Sequence, residues 1–138
     1  MQGKSWVPLG AAGLVAAVAL GVFALVSADP CANTGLATVV APGGAHRAVV
    51  FQRDCGATSG FSTQVSVLPV DAALPDGGGT VFVADTDNGR APSGRGGGPA
   101  VGLVWRDEKT LVIRHHQLAR VFRSEPRADG IEIRYERR

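Results

Sequence analysis

Ile131-Glu132-Ile133-Arg134-Tyr135-Glu136 alternates apolar and charged side chains without a break. In an extended chain successive side chains point to opposite faces, whereas a helix repeats every 3.6 residues. The run therefore reads as a strand with Ile131, Ile133 and Tyr135 on one buried face. The same period of two recurs upstream: Val101, Leu103 and Trp105 share one parity, and Val65 and Val67 alternate with Gln64 and Ser66. Extending the test along the chain predicts strands over residues 36–41, 45–53, 61–70, 80–85, 100–106, 110–116, 120–125 and 131–136. Between them stand Pro42-Gly43-Gly44, Gly77-Gly78-Gly79, Asp107-Glu108-Lys109 and Ala128-Asp129-Gly130, which carry the chemistry of tight turns. No long amphipathic helix is expected after Pro30. The expected fold class is all-β: about eight short, mainly antiparallel strands in a sandwich or barrel-like meander, preceded by one N-terminal transmembrane or signal helix.

That helix is read from Leu9 to Val26, a run without a charged residue. At about 1.5 Å per residue, residues 9–28 span about 30 Å, the thickness of a bilayer core. Lys4 precedes the run, so residues 29–138 are expected outside the cytoplasm. Two outcomes remain open: an uncleaved anchor, which the length of the run favours, or a signal peptide released after Ala28. The expected organisation is residues 1–28 as anchor or signal peptide, 29–35 as a linker with Cys31, and 36–138 as an extracytoplasmic β-domain. Gly13, Ala17 and Gly21 lie four apart, a small-residue stripe compatible with a weak dimer of an otherwise monomeric chain. Cys31 and Cys55 are the only cysteines, and an even pair in an oxidising compartment is expected to form a disulfide.

With 138 residues and a formal charge of +2, the chain holds one domain plus an appendage, and nucleic acid is not an expected partner. The near-neutral total hides an asymmetry. Residues 29–89 hold two arginines against six aspartates, whereas residues 90–138 hold ten arginines and Lys109 against six acids. The simplest expectation is that the two halves interleave in one fold and neutralise each other.

The most distinctive segment is Arg53-Asp54-Cys55-Gly56-Ala57-Thr58-Ser59-Gly60-Phe61-Ser62-Thr63-Gln64-Val65-Ser66. It resembles the signature of a family of small, uncharacterised bacterial proteins with an N-terminal signal or anchor, in which Arg-Asp-Cys-Gly-Ala-Thr-Thr-Gly-Phe-Ser-Thr-Gln-Val-Ser follows a strand like Ala48-Val49-Val50-Phe51. Ser59 replaces the second threonine of that pattern. The likeness extends through Val81-Phe82-Val83-Ala84-Asp85, the Gly-rich loop and Trp105. It implies a shared fold and compartment and carries no activity over.

Read chemically, the segment is a disulfide-stapled turn in which Asp54, Thr58 and Ser59 form a polar cluster. Asp85-Thr86-Asp87-Asn88-Gly89 opens like a calcium loop but lacks the later acidic ligands. Gly94-Arg95-Gly96-Gly97-Gly98 lacks the Gly-Lys-Ser/Thr of a phosphate loop. The stretch 86–99 is nevertheless long for a connection, and such loops are usually functional or mobile, with Arg90 and Arg95 able to meet an anionic group. His115 and His116 are adjacent, so His115 is expected to face inward with Leu111 and Ile113, and His116 outward.

If consecutive strands run up and down, the segments 54–60, 86–99 and 116–119 share one end, and the chain enters the domain there. The expected function is a membrane-tethered extracytoplasmic binding or interaction module rather than an enzyme. Its candidate binding residues are Asp54, Thr58, Ser59, Asp87, Arg90, Arg95 and His116. No metal or cofactor is expected. The expected partners are the membrane, through residues 9–28, and an envelope protein, a glycan or an anionic lipid. The alternatives are a small envelope hydrolase using Ser59 or Thr58 with a histidine base, or a secreted inhibitor or immunity-type protein.

Overall fold

The run at residues 131–136 is a strand, and its apolar face looks into a sandwich of two sheets. The computed structural model describes residue 3, residues 30–56 and residues 59–138. The expected membrane helix, its small-residue stripe, the cleavage position at Ala28 and the candidate Thr58 lie outside the described residues. Residues 31–138 form one compact unit.

Nine strands occur among the described residues: β1 (Ala32–Val40), β2 (His46–Asp54), β3 (Ser62–Pro69), β4 (Phe82–Asp85), β5 (Val101–Asp107), β6 (Thr110–His115), β7 (Arg120–Ser124), β8 (Arg127–Ala128) and β9 (Ile131–Arg137). They form a five-stranded sheet in the order β1-β2-β3-β4-β7 and a four-stranded sheet in the order β5-β6-β9-β8. Every pairing is antiparallel except β6 with β9. Of the two architectures left open by the sequence, the sandwich is the one formed. It is not a simple meander, because the chain crosses to the second sheet for β5 and β6, returns for β7, and crosses again for β8 and β9.

Alternation decides which side chains meet between the sheets. Ala48, Val50, Val65, Val67, Val81, Phe82 and Ala84 from the first sheet pack against Leu111, Ile113, Ile131 and Ile133 from the second, with Val101, Leu103, Trp105 and Tyr135 at the margins. Two polar side chains stitch the margins together. Trp105 Nε1 donates to the carbonyl of Val39 at 3.0 Å, joining β5 to β1. On the opposite side the Tyr135 hydroxyl reaches the carbonyls of Val81 and Glu125, at 2.9 and 2.7 Å. Burial first, and then the nearby Glu125 carboxylate, push the Tyr135 phenol well above its ordinary range.

β2 and β3 depart from alternation because both of their faces are covered. Val49, Phe51 and Leu68 form a second apolar cluster on the outer face, under Ala72 and Leu74. The connection between β3 and β4 thus lies over the first sheet as a strap. Arg47 Nη2 holds it through the carbonyl of Ala72 at 2.7 Å, and Asn33 Nδ2 through the carbonyl of Gly77 at 2.8 Å. The buried polar residues of β3 complete the fastening: Gln64 Oε1 accepts from Gly79 N–H at 2.6 Å and Ser66 Oγ from Thr80 N–H at 3.1 Å. At Gly79 a Cβ would stand 2.6 Å from the carbonyl oxygen of Phe82, so only glycine lets the strap lie this close.

The acidic and basic halves meet at two places. Arg120 of β7 forms a bidentate pair with Asp85 of β4, at 3.1 and 2.5 Å, and lies 3.7 Å from Asp87. His46 of β2 faces Asp129 at 3.2 Å. Arg90 with Asp87 spans the boundary between the halves within one turn, and the remaining ion pairs among the described residues join partners within the same half, including Arg114 and Arg106 with Glu136.

Candidate functional site

Strand register places the sequence-nominated loops together. Ala32 pairs with Asp54, Arg53 with Ser62, Ser62 with Asp85, and Asp85 with Arg120. In the second sheet Val101 pairs with His115, and His115 with Arg137. Cys31, residues 54–56 and 59–61, residues 86–100 and residues 116–119 therefore all lie at one end of the sandwich. A disulfide between Cys31 and Cys55 closes the β1–β2 hairpin at that end.

Each loop is built by local hydrogen bonds. Asp54 Oδ1 accepts from Gly56 N–H at 3.0 Å, which makes the carboxylate a turn cap. Ser59 is exposed, and its N–H closes a turn onto the carbonyl of Gly56 at 3.1 Å. At the end of β4, Asp85 Oδ1 accepts from Asp87 N–H at 2.9 Å and Thr86 Oγ1 from Gly89 N–H at 3.1 Å. These bonds hold Asp87, Asn88 and Gly89 at consecutive positive φ of 52°, 56° and 84°. Asp and Asn tolerate that region better than other residues with a Cβ, which accounts for their presence here.

The carboxylates of this turn are already engaged. Burial raises the Asp85 carboxyl, but hydrogen bonds from Arg120 and from Asp87 N–H, with the Arg120 charge, outweigh it and hold the group below the usual carboxylate range. Asp87 Oδ2 takes Arg90 Nη1 at 3.0 Å, although Arg90 itself remains 67% exposed. Among the described residues no group of three or more His, Cys, Asp or Glu side chains comes together to hold a metal.

The Gly-rich stretch is a tightly packed hairpin. Ser93 bridges to Pro99, Gly94 N–H donates to the carbonyl of Gly98 at 2.7 Å, and Thr63 Oγ1 donates to the carbonyl of Pro99 at 2.6 Å. At Gly97, held at φ +86°, a Cβ would stand 2.5 Å from the Phe61 ring, and at Gly98 one would stand 2.5 Å from Thr63 Oγ1. The glycines therefore serve close packing on β2 and β3. Arg95 stands at the tip of this hairpin, exposed and with no polar partner among the described residues. It borders a cleft of about 160 Å³ between the sheets, lined also by Leu36, Val50, Thr63 and Val101.

The histidines divide as expected. His115 is buried, with its ring centroid 5.2 Å from that of Phe82, while His116, just past the end of β6, is half-buried. A carbonyl can only accept, so His115 Nδ1 donates to His116 O at 3.1 Å. A backbone N–H can only donate, so His116 Nδ1 accepts from Leu118 N–H at 3.0 Å. The neutral His116 ring then carries its proton on Nε2 and faces an open groove of about 520 Å³ with Arg114 and Arg138. His46 lies at the opposite end, where it pairs with Pro69. No imidazole hydrogen-bonds Ser59 among the described residues.

Of the nominated residues, the structure gathers Asp54, Ser59, Asp87, Arg90, Arg95 and His116 at one end, in separate local networks. Phe61 and Leu118 at the same end are 45% and 42% exposed, and the sequence did not nominate them. Phe61 continues the inward parity of Thr63 and Val65, which hides its exposure; Leu118 stands alone among polar neighbours. No protein-family model, curated protein or solved structure matches the chain.

Proposed function

We propose that this chain is a membrane-tethered extracytoplasmic binding module whose working surface is the Cys31 end of the β-domain. The observation that carries the reading is the strand register, which collects the point where the chain enters and the three irregular connections at one end. The surface suits binding better than acid–base chemistry. Its carboxylates cap turns or pair with arginines, its exposed serine has no basic partner among the described residues, and Arg95 is presented on a rigid hairpin. Rigid presentation lowers the ordering cost of capturing an anionic group. The likeness of residues 53–66 to small exported bacterial proteins supports the compartment.

The test is site-specific photo-crosslinking in the native cell envelope, with the crosslinker at Arg95 or Ser59 and a control at Val40, which is exposed at the other end. Adducts at the first two positions and none at Val40 are expected, together with loss of capture in Arg90→Ala, Arg95→Ala. Equal labelling at both ends, or unchanged capture by the double variant, refutes the reading.

A further inference from the structure

Exposed apolar side chains occur at both ends of the sandwich and along its edge strand β7: Phe61 and Leu118 at one end, Val40 and Val70 at the other, and Val121 and Phe122 on β7. Exposure alone therefore does not choose a docking face, but chain length does. Five Cα-to-Cα steps, across four intervening residues, separate Val26, the end of the apolar run, from Cys31. Fully extended they reach at most about 18 Å. The headgroup layer outside a bilayer core takes up about 5–7 Å of that. On the tethered reading Cys31 can stand no more than about 12 Å beyond the headgroups, whereas Val40, at the far end of β1, can stand up to about 30 Å further.

The disulfide fastens this short leash to the end that carries the loops. Three features suited to a phospholipid surface sit there. Phe61 precedes β3 and Leu118 precedes β7, and the two strands lie two positions apart across β4, a backbone spacing of about 10 Å. Arg95 lies on the hairpin packed against Phe61 through Gly97. Arg138, beside His116, adds a second cation at the same end. The acids of the rim are internally engaged: Asp85 and Asp87 by Arg120 and Arg90, and Asp54 by a backbone N–H. Apolar tips flanked by exposed guanidinium groups match the boundary between acyl chains and anionic headgroups.

From this we infer that the Cys31 end is a lipid-docking face, on which Phe61 and Leu118 enter the headgroup layer of anionic phospholipid while Arg95 and Arg138 meet phosphates. The inference rests on the tethered reading above and names the partner of that surface.

The test is amide hydrogen exchange on the full chain reconstituted in vesicles of phosphatidylcholine, with or without phosphatidylglycerol. Exchange at residues 59–61, 93–97 and 116–119 should slow by about fivefold or more in the anionic vesicles, with the difference collapsing at high salt. The variant Phe61→Ser, Leu118→Ser replaces side chains that are 45% and 42% exposed, and because Phe61 also packs on Gly97 the variant's exchange in anionic vesicles is compared with its own exchange in neutral ones. It should abolish the slowing while leaving the amides of β3 and β6 as protected as in the parent chain. Equal exchange in both vesicle types, or slowing that survives the double variant, overturns docking. Crosslinked adducts at Arg95 that migrate as protein rather than extract with lipid overturn it too, while leaving the binding surface standing. Intact mass of the chain recovered from cells tests the tether separately: a mature chain beginning at Asp29 overturns the anchor and, with it, the choice of this end as the docking face.

Discussion

Thr63→Val isolates the bond that fixes the Gly-rich hairpin. Thr63 is 1% exposed, and its hydroxyl donates to the carbonyl of Pro99 at 2.6 Å. Valine keeps the branched shape and removes the donor. The Pro99 carbonyl, itself in a fully buried residue, is then left without its partner. Leaving such a group unpaired costs about 1–3 kcal/mol. For a domain of this size a loss of about 2 kcal/mol lowers the melting temperature by roughly 8–16 °C. Thr63→Ser is the control: it keeps the hydroxyl and gives up one buried methyl, worth about 1 kcal/mol. The expected order of stability is parent, then Thr63→Ser, then Thr63→Val. Thermal unfolding followed by near-ultraviolet circular dichroism measures it, and amide exchange over residues 93–98 should accelerate only in the valine variant. A valine variant as stable as the parent, or more stable than the serine variant, refutes the assignment of the hairpin's rigidity to this bond.

Other consequences of the structure are equally open to measurement. Cys31→Ser with Cys55→Ser reopens a loop with a sequence separation of 24 and should cost about 3.5 kcal/mol on the chain-entropy account, read as a lowered denaturation midpoint; a change under about 1 kcal/mol contradicts it. Gly97→Ala meets both a positive φ and the Phe61 ring, so it should destabilise by about 1–3 kcal/mol, and Phe61→Ala should recover only the steric part in a double-mutant cycle. Asp85 and Glu136 are both held below their ordinary values of 3.8 and 4.5, Glu136 chiefly by the Arg114 hydrogen bond. Their contribution is fully present above those unfolded values and disappears as pH falls through the lower folded ones. Arg120→Ala should therefore lower stability at neutral pH and flatten the fall on acidification; an acid transition as steep as the parent's counts against the pairing.

Much of the sandwich is legible because one-sided burial imposes alternation. Ile131, Ile133 and Tyr135 face the core as their parity requires, and so do Val101, Leu103, Trp105 and His115. The strands hidden from such reading are hidden for physical reasons. β8 has two residues, too few to show a period. β1 starts at Ala32 rather than Leu36, because a half-exposed edge strand of small residues such as Ala32, Thr34 and Gly35 leaves no apolar trace. The parallel β6–β9 pair is invisible to local patterning, since it is set by where the chain goes between them. β2 shows four successive buried residues, Ala48 to Phe51, and what covers its second face is a strap whose Ala72 and Leu74 look like ordinary loop residues. The common end was inferable from up-and-down connectivity because β1 to β4 do run that way. The tight state of residues 93–99 was not, because glycine runs serve flexible linkers and close-packed turns alike, and only the neighbours Phe61, Thr63 and Ala100 decide between them.

The Cys31–Cys55 bond also determines how the domain answers a mechanical pull. β1 is an edge strand hydrogen-bonded to β2 alone, and its first rung, Ala32 with Asp54, sits where the chain arrives. Tension arriving through residue 30 onto such an edge would peel it one rung at a time, the weakest way to load a sheet. The disulfide transfers that load past β1 to the end of β2, an interior strand held on one side by β1 and on the other by β3. Two rows of hydrogen bonds must then yield together. A pull on residue 30 is thereby resisted by three strands of the sheet instead of by one edge rung at a time.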